Sequence, residues 1–170
     1  MGDIDRLQIE FEQLEAQQEQ FEKLKAAGFF STQQRRQAED VFNQIQRKSG
    51  VISASASVGG GKIVVDEEAA KAEHVILESP MTVSIESMDD TDVYRYIYLV
   101  QEYFPGHISL DTVTLKRERD LSGTLLRSIA SGSSPKMVGA KLEMTWRTMI
   151  PNTSVINEAP AEPGGAAPAP

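Results

Sequence analysis

Ser79-Pro80-Met81-Thr82-Val83-Ser84-Ile85-Glu86 alternates apolar and polar residues, the period-2 pattern of a strand with one buried and one wet face. Immediately after it, Asp89, Asp90, Thr91 and Asp92 bring capping side chains and negative charge to the place where a helix N-terminus is stabilised by both. Val93, Tyr96, Ile97, Val100 and Phe104 then recur at helical spacing, Pro105-Gly106 ends the run, and Ile108 and Leu110 open a second strand. This strand–helix–strand unit carries its apolar residues on one side of every element. It therefore requires more sheet and a second helix to cover it.

Working toward the N-terminus, residues 51–58 alternate as well, with Ile52, Ala54, Ala56 and Val58 against Ser53, Ser55 and Ser57. The small residues permit a helix to approach closely. Gly59-Gly60-Gly61 reads as a flexible hairpin turn, with a return strand from Lys62 to Val65. Asp66 to Ala72 is a polar excursion, and the strand pattern resumes at Glu73 and runs to Ser87. Pro80 within it marks an edge or a bulge, because proline donates nothing to a ladder. Ahead of these strands, Ser31 followed by Gln34 resembles a capping box. It would start a helix whose stripe is Ala38, Val41, Phe42 and Ile45, with Gly50 as its C-terminal cap.

Residues 4–27 form a separate amphipathic helix with a heptad seam. Ile4, Phe11, Gln18 and Lys25 occupy one sevenfold position and Leu7, Leu14 and Phe21 the other, flanked by Glu10, Glu15 and Glu22. Two readings of this seam stand: a helix lying along its own domain, or a stalk pairing with another helix. Acidic flanks repel an identical parallel neighbour, which favours a different partner with basic flanks.

Toward the C-terminus, residues 107–119 continue the sheet with a slip in alternation near Asp111, the mark of a bulge. Residues 120–135 are a long connection containing Leu121, Leu125, Leu126 and Ile129, read as either a short helical turn or a hairpin tip. Val138, Ala140, Leu142, Met144, Trp146 and Thr148 then face one way and Lys141, Glu143, Thr145 and Arg147 the other. Five of the eight prolines fall in residues 151–170 among Ala, Gly and Glu, a composition that cannot bury a core, so disorder is expected there.

The chain thus divides into a stalk helix (1–28), a globular domain (29–150) and a Pro/Ala-rich tail (151–170). The expected class is α+β. After the coiled-coil-like helix, the element order α-β-β-α-β-β gives a two-layer sandwich of four antiparallel strands with both helices on one face, a permuted ferredoxin-like arrangement.

Bulk composition narrows the function. The 170 residues carry a net charge of −8, which argues against nucleic acid or an anionic membrane as main partner. Seven acids and one base fall in residues 1–22, whereas residues 114–147 hold seven bases and three acids. There is no cysteine, and neither a membrane-spanning run nor a signal peptide is visible.

Candidate chemistry is thin. Val58-Gly59-Gly60-Gly61-Lys62 lacks the first glycine and the hydroxyl residue of a phosphate loop, since position 56 is Ala and position 63 is Ile. Asp89, Asp90 and Asp92 lack the glycine and distal glutamate of a calcium loop. His74 and His107, the only histidines, would need each other and a carboxylate to hold a metal. No serine is marked as a nucleophile, and Asn152-Thr153-Ser154 fits a glycosylation acceptor only as a short pattern. No catalytic residue, cofactor or metal is expected. Contact surfaces stand out instead: the seam residues Ile4, Leu7, Phe11, Leu14, Gln18 and Phe21, an edge strand, and Tyr94 and Tyr98, which either meet a partner or simply border the core.

The charged heptad helix, the second helix, Ser79-Pro80-Met81-Thr82-Val83-Ser84-Ile85, Tyr103-Phe104-Pro105-Gly106, Ile108-Ser109-Leu110 and Leu142-Glu143-Met144-Thr145-Trp146-Arg147 together resemble the PilO family. These are inner-membrane components of type IV pilus machines, related to GspM of type II secretion. The resemblance is one of pattern and order over residues 4–149. Met88-Asp89-Asp90-Thr91-Asp92 replaces the Gly-containing turn often seen before the family's central helix. The resemblance implies a non-enzymatic assembly role in the bacterial periplasm. The chain would pair with a PilN-like protein, or as a homodimer, to link the inner-membrane platform to the outer-membrane channel. Family members reach the inner membrane through a helix ahead of the coiled coil, so an anchor outside this sequence is expected. The alternative is a small-molecule-sensing or regulatory domain acting as a dimer, with a ligand pocket near Gly59–Gly61.

Overall fold

A computed structural model describes residues 2–153. The described chain is mixed α/β: five helices and a five-stranded antiparallel sheet, with a long helix ahead of the sheet. Helices α1 (Gly2–Ala26) and α2 (Arg35–Ser49) come first. Strands β1 (Ser53–Val58) and β2 (Lys62–Val64), the short helix α3 (Glu67–Lys71) and strand β3 (His74–Ser87) follow. Helix α4 (Asp90–Tyr103), strand β4 (His107–Arg117), helix α5 (Gly123–Ala130) and strand β5 (Val138–Pro151) complete the order.

The strands lie side by side as β1-β3-β5-β4, and β2 also pairs with β3. Long strands β3 and β5 pair along their whole length, from His74 opposite Pro151 to Ser87 opposite Val138. Their alternation decides the layering. Met81, Val83 and Ile85 from β3 and Ala140, Leu142, Met144 and Trp146 from β5 share one face. That face is covered by Ala38, Phe42 and Ile45 of α2 and by Val93, Tyr96 and Val100 of α4, with Phe104 closing the cluster. The Phe104 ring lies edge-on to Trp146 at 5.1 Å and tilted to Phe42 at 4.9 Å. The opposite face carries Ser55, Thr82, Ser84, Glu143, Thr145 and Arg147, the polar side that an antiparallel sheet can turn to water.

The expected hairpin at Gly59–Gly61 is not present. β1 and β2 do not pair with each other; both run antiparallel to β3, one after the other. Val58 stands opposite Met81 and Lys62 opposite Glu78, so four steps on the edge match three on β3. The glycines are a bulge in one continuous edge, which is why the sheet has five strand segments where four strands were expected. The reason lies across the ladder at Pro80. Gly59 donates its N–H to the Pro80 carbonyl at 2.7 Å, and a Cβ on Gly59 would sit 2.8 Å from Pro80 Cγ. The true connection from this edge to β3 is α3, capped by Asp66, whose carboxylate accepts from the N–H groups of Glu68 and Ala69 at 3.0 Å.

Two smaller expectations also change. Ser31 does not form a capping box: α2 begins at Arg35, and the residue in the cap position, Gln34, makes no side-chain cap. Ala56 is exposed, so only part of the β1 small-residue face lies under α2. By contrast, the bulge at Asp111 appears between Leu110 and Thr112, and the 120–135 connection contains α5. Pro151 belongs to β5, and Asn152 donates its N–H to the Glu73 carbonyl, so the fold extends past residue 150; residues 154–170 lie outside the described residues.

Candidate interaction surfaces

Helix α1 presents its seam to solvent along its described length. Ile4 is 72% exposed and Leu14 64%, and Leu7, Phe11, Gln18 and Phe21 are exposed with them. Two exposed ion pairs, Arg6–Glu10 at 3.0 Å and Glu19–Lys23 at 2.7 Å, run along the helix at i, i+4 spacing. The hydrogen bond and charge of Lys23 hold the Glu19 carboxyl below the usual carboxylate range. Only the C-terminal end of α1 is tied down. Phe21 packs on Phe30 at 5.0 Å, and Phe30 packs edge-on to Phe29. The backbone N–H of Gly106 donates to Ala27 O at 2.6 Å, and that of Met149 to Phe29 O at 2.7 Å. Phe29 and Phe30 are half-buried and, with these two backbone bonds, fix the end of the helix to the domain.

Gln33, unnoticed in the sequence, anchors the segment that follows. Its Nε2 donates to Leu77 O and to Trp146 O, both at 3.1 Å, and its Oε1 accepts from the buried Ser79 hydroxyl at 2.6 Å. One side chain therefore clips the entry of α2 to both central strands. The partners are 44 and 113 residues away in sequence, so no local pattern signals them.

The aspartates at the start of α4 act as structural groups. Asp89 caps the helix by accepting from Asp92 N–H at 3.0 Å, while Asp92 pairs with Arg95 at 3.1 Å. Arg95 also donates to Ser49 O, the last carbonyl of α2, and Lys48 lies 5.1 Å over the Tyr103 ring. Arg95 and Tyr103 thus turn one flank of α4 toward α2. Tyr94 and Tyr98 are exposed on the remaining surface, with Tyr94 on the flank turned away from α2. Tyr96, in contrast, is fully buried, and burial pushes its phenol well above its usual value.

The structure does not bring the two histidines together. His74 is paired with Pro151 and His107 with Arg147, on opposite sides of β5 and four residues apart along it. Among the described residues no group of three or more His, Cys, Asp or Glu could hold a metal ion. Gly59–Gly61 line no part of an apolar groove that lies toward the Ser87 end of the sheet. That groove, about 460 Å³, runs between α5, the end of β4 and the start of α4, with Met88, Leu115, Leu121, Ile129 and Met137 as its apolar wall. Helix α5 buries none of its residues fully, and Leu126 is exposed on it.

The wet face of the sheet is held by cross-strand ion pairs. Arg147 meets Glu78 at 2.6 Å, and Glu86 accepts from Lys136 at 2.7 Å and from Ser53 at 3.1 Å. These two donors lower the Glu86 carboxyl, chiefly through Lys136.

The third and least protected surface is β4. It pairs with β5 alone, and from Asp111 to Arg117 every residue is exposed. Val113 and Leu115 stand opposite Leu142 and Ala140, on the helix side of the sheet, yet remain 38% and 37% exposed. The covering layer explains this, because α2 packs chiefly on β1 and α4 on β3, and Leu115 instead lines the groove beside α5. No helix among the described residues is long and apolar enough to cross a membrane. Comparison with protein-family models, with curated proteins and with solved structures gave no match.

Proposed function

We propose that the chain is a non-enzymatic assembly component of a type IV pilus or type II secretion-like machine, of the PilO kind, working in the periplasm beside the inner membrane. The observation that carries this reading is α1: a helix of 25 residues whose heptad seam is wholly exposed while its end is fixed to the domain. A seam of that length is stable against water only at a modest level and gains most from a second helix. The strand order β1-β3-β5-β4, with α2 and α4 on one face, supports a permuted ferredoxin-like domain, since the β1–β2 edge counts as one strand. The residues that would meet a PilN-like partner are Ile4, Leu7, Phe11, Leu14, Gln18 and Phe21, with Tyr94 and Tyr98 beside them. The acidic flanks of the seam call for basic flanks on that partner.

The test is co-purification of the full chain with a PilN-like protein, repeated with Leu7→Asp and Leu14→Asp together. Capture by the unaltered chain and its loss in the double variant is the expected result. Equal capture by both would remove the seam from the interface. A sensing domain would instead show a rise in Tm with a metabolite and indifference to the seam substitutions.

A further inference from the structure

The groove beside α5 is one end of a wider gap in the helical layer, separate from the α1 seam. We infer that this gap seats one amphipathic helix of a different protein, with its basic flank toward α4 and an acidic side chain toward Arg117.

The gap has the dimensions of a missing layer member. Val113 and Leu115 stand opposite Leu142 and Ala140, on the face that α2 and α4 cover, and remain exposed. The strand order puts β4 two strands away from β3, on which α4 packs. Two strand spacings are about 9.5 Å, and packed helices stand about 8–10 Å apart, so a helix laid over β4 would sit at contact distance from α4. Its walls are largely apolar already. Asp90 lines the groove, and Tyr94 and Ile97 follow it at one-turn spacing on the flank of α4 turned away from α2. Leu121 and Ile129 supply the wall on the α5 side.

Backbone chemistry selects a helix over an extended segment. An extended chain on this face would leave its N–H and C=O groups unpaired against Leu115, Met137 and Val138. A helix bonds its own backbone and presents only side chains to the groove. Charge then selects which helix. Asp90 and Arg117 both line the groove, and among the described residues neither makes an ion pair. The α1 sequence does not suit the seat, because Glu10, Glu15 and Glu22 flank its seam and would bring like charge to Asp89 and Asp90. The occupant therefore comes from another protein and carries lysine or arginine beside Asp90.

The probe is a capped helical peptide of about 15 residues, with a leucine stripe, one lysine flank and a terminal glutamate. A second peptide has glutamates in place of the flank lysines. Binding is followed by methyl NMR of the full chain carrying Leu7→Asp and Leu14→Asp. That background removes the α1 seam as a competing site, so failure here and failure of the seam reading are distinguished. The expected result is saturable shifts at Ile97, Val113 and Leu115, with the lysine peptide binding several-fold more tightly than its counterpart. Leu115→Gln should weaken binding several-fold with circular dichroism unchanged. Asp90→Lys, which cancels the charge of Asp89 beside it, should remove the preference between the peptides. No saturable binding in this background, shifts confined to other surfaces, equal binding of the two peptides, or indifference to Leu115→Gln would overturn the proposal. So would tighter binding of dodecanoate than of either peptide, or shifts of the same methyls when the chain alone is diluted, the sign of a second copy on the seat.

Discussion

Helices α1 and α2 are neighbours in sequence and both are amphipathic, yet they stand at opposite ends of a scale. The α2 stripe of Ala38, Phe42 and Ile45 is sealed against α4 and the sheet, whereas the α1 seam of Ile4, Leu7, Phe11 and Leu14 meets only water. Hydrophobic periodicity alone does not separate the two cases. What separates them is the charge beside the stripe and what the chain places opposite it. In α2 the stripe has Val93, Tyr96 and Val100 to pack on, while α1 has the single aromatic clasp of Phe21 on Phe30. Burial makes one helix part of the fold, and its absence makes the other available.

The contrast can be broken most forcefully at Phe42. Phe42→Ala should lower unfolding free energy by about 3–5 kcal/mol in urea titrations, the cost of a large core cavity, and should leave seam-dependent partner capture unchanged where the variant is folded. A loss far below that range would mean that α2 is not the sealed helix described here. Gln33→Ala comes next. It strips the acceptor from the Ser79 hydroxyl and the donor from two carbonyls, so a loss of about 1–3 kcal/mol is expected from the groups left unpaired. Gln33→Glu serves as the sharper comparison, since it keeps the acceptor and removes the donor.

On the bare helix the same kind of truncation should hardly register. Leu14→Ala is expected to change stability by no more than about 0.5 kcal/mol, measured by the same titration, while weakening any complex formed through the seam. A large loss there would show that α1 folds back onto its own domain in solution.

The smallest effect is a pair of titrations. Carbon-13 NMR should find the Glu19 and Glu86 carboxyls both titrating below the ordinary carboxylate range. Lys23→Gln should return Glu19 toward normal. Lys136→Gln should return Glu86 only in part, because Ser53 still donates to it. Since the folded-state values are lowered, whatever these pairs add to stability is present above the unfolded carboxylate pKa. It is lost as pH falls through the folded values.

Much of the layout was legible because its signals are local. The alternation of β3 and β5, the aspartate start of α4, the stop at Pro105-Gly106 and the slip at Asp111 all reappear in the structure. The failures share one cause. Gly59-Gly60-Gly61 reads as a turn until Pro80, twenty-one residues after Gly59, is seen across the ladder, where its ring demands glycine and its register demands a bulge. Ser31 reads as a cap until the competing bonds of Gln33 fix where α2 can start. The seam on α1 was legible as a stripe, and its exposure was one of two open readings. The bareness of β4 was not legible, because strand order is decided by which strand each helix covers and not by the strand's own residues.

The clasp at the end of α1 has a mechanical consequence. The Ala27 and Phe29 carbonyls are held by Gly106 and Met149, at the start of β4 and near the end of β5. A pull along the long helix is therefore delivered to two adjacent antiparallel strands through these two bonds, as well as along the backbone into α2. Tension borne by α1 would thus reach the sheet before it had to pass through the whole of the helical layer.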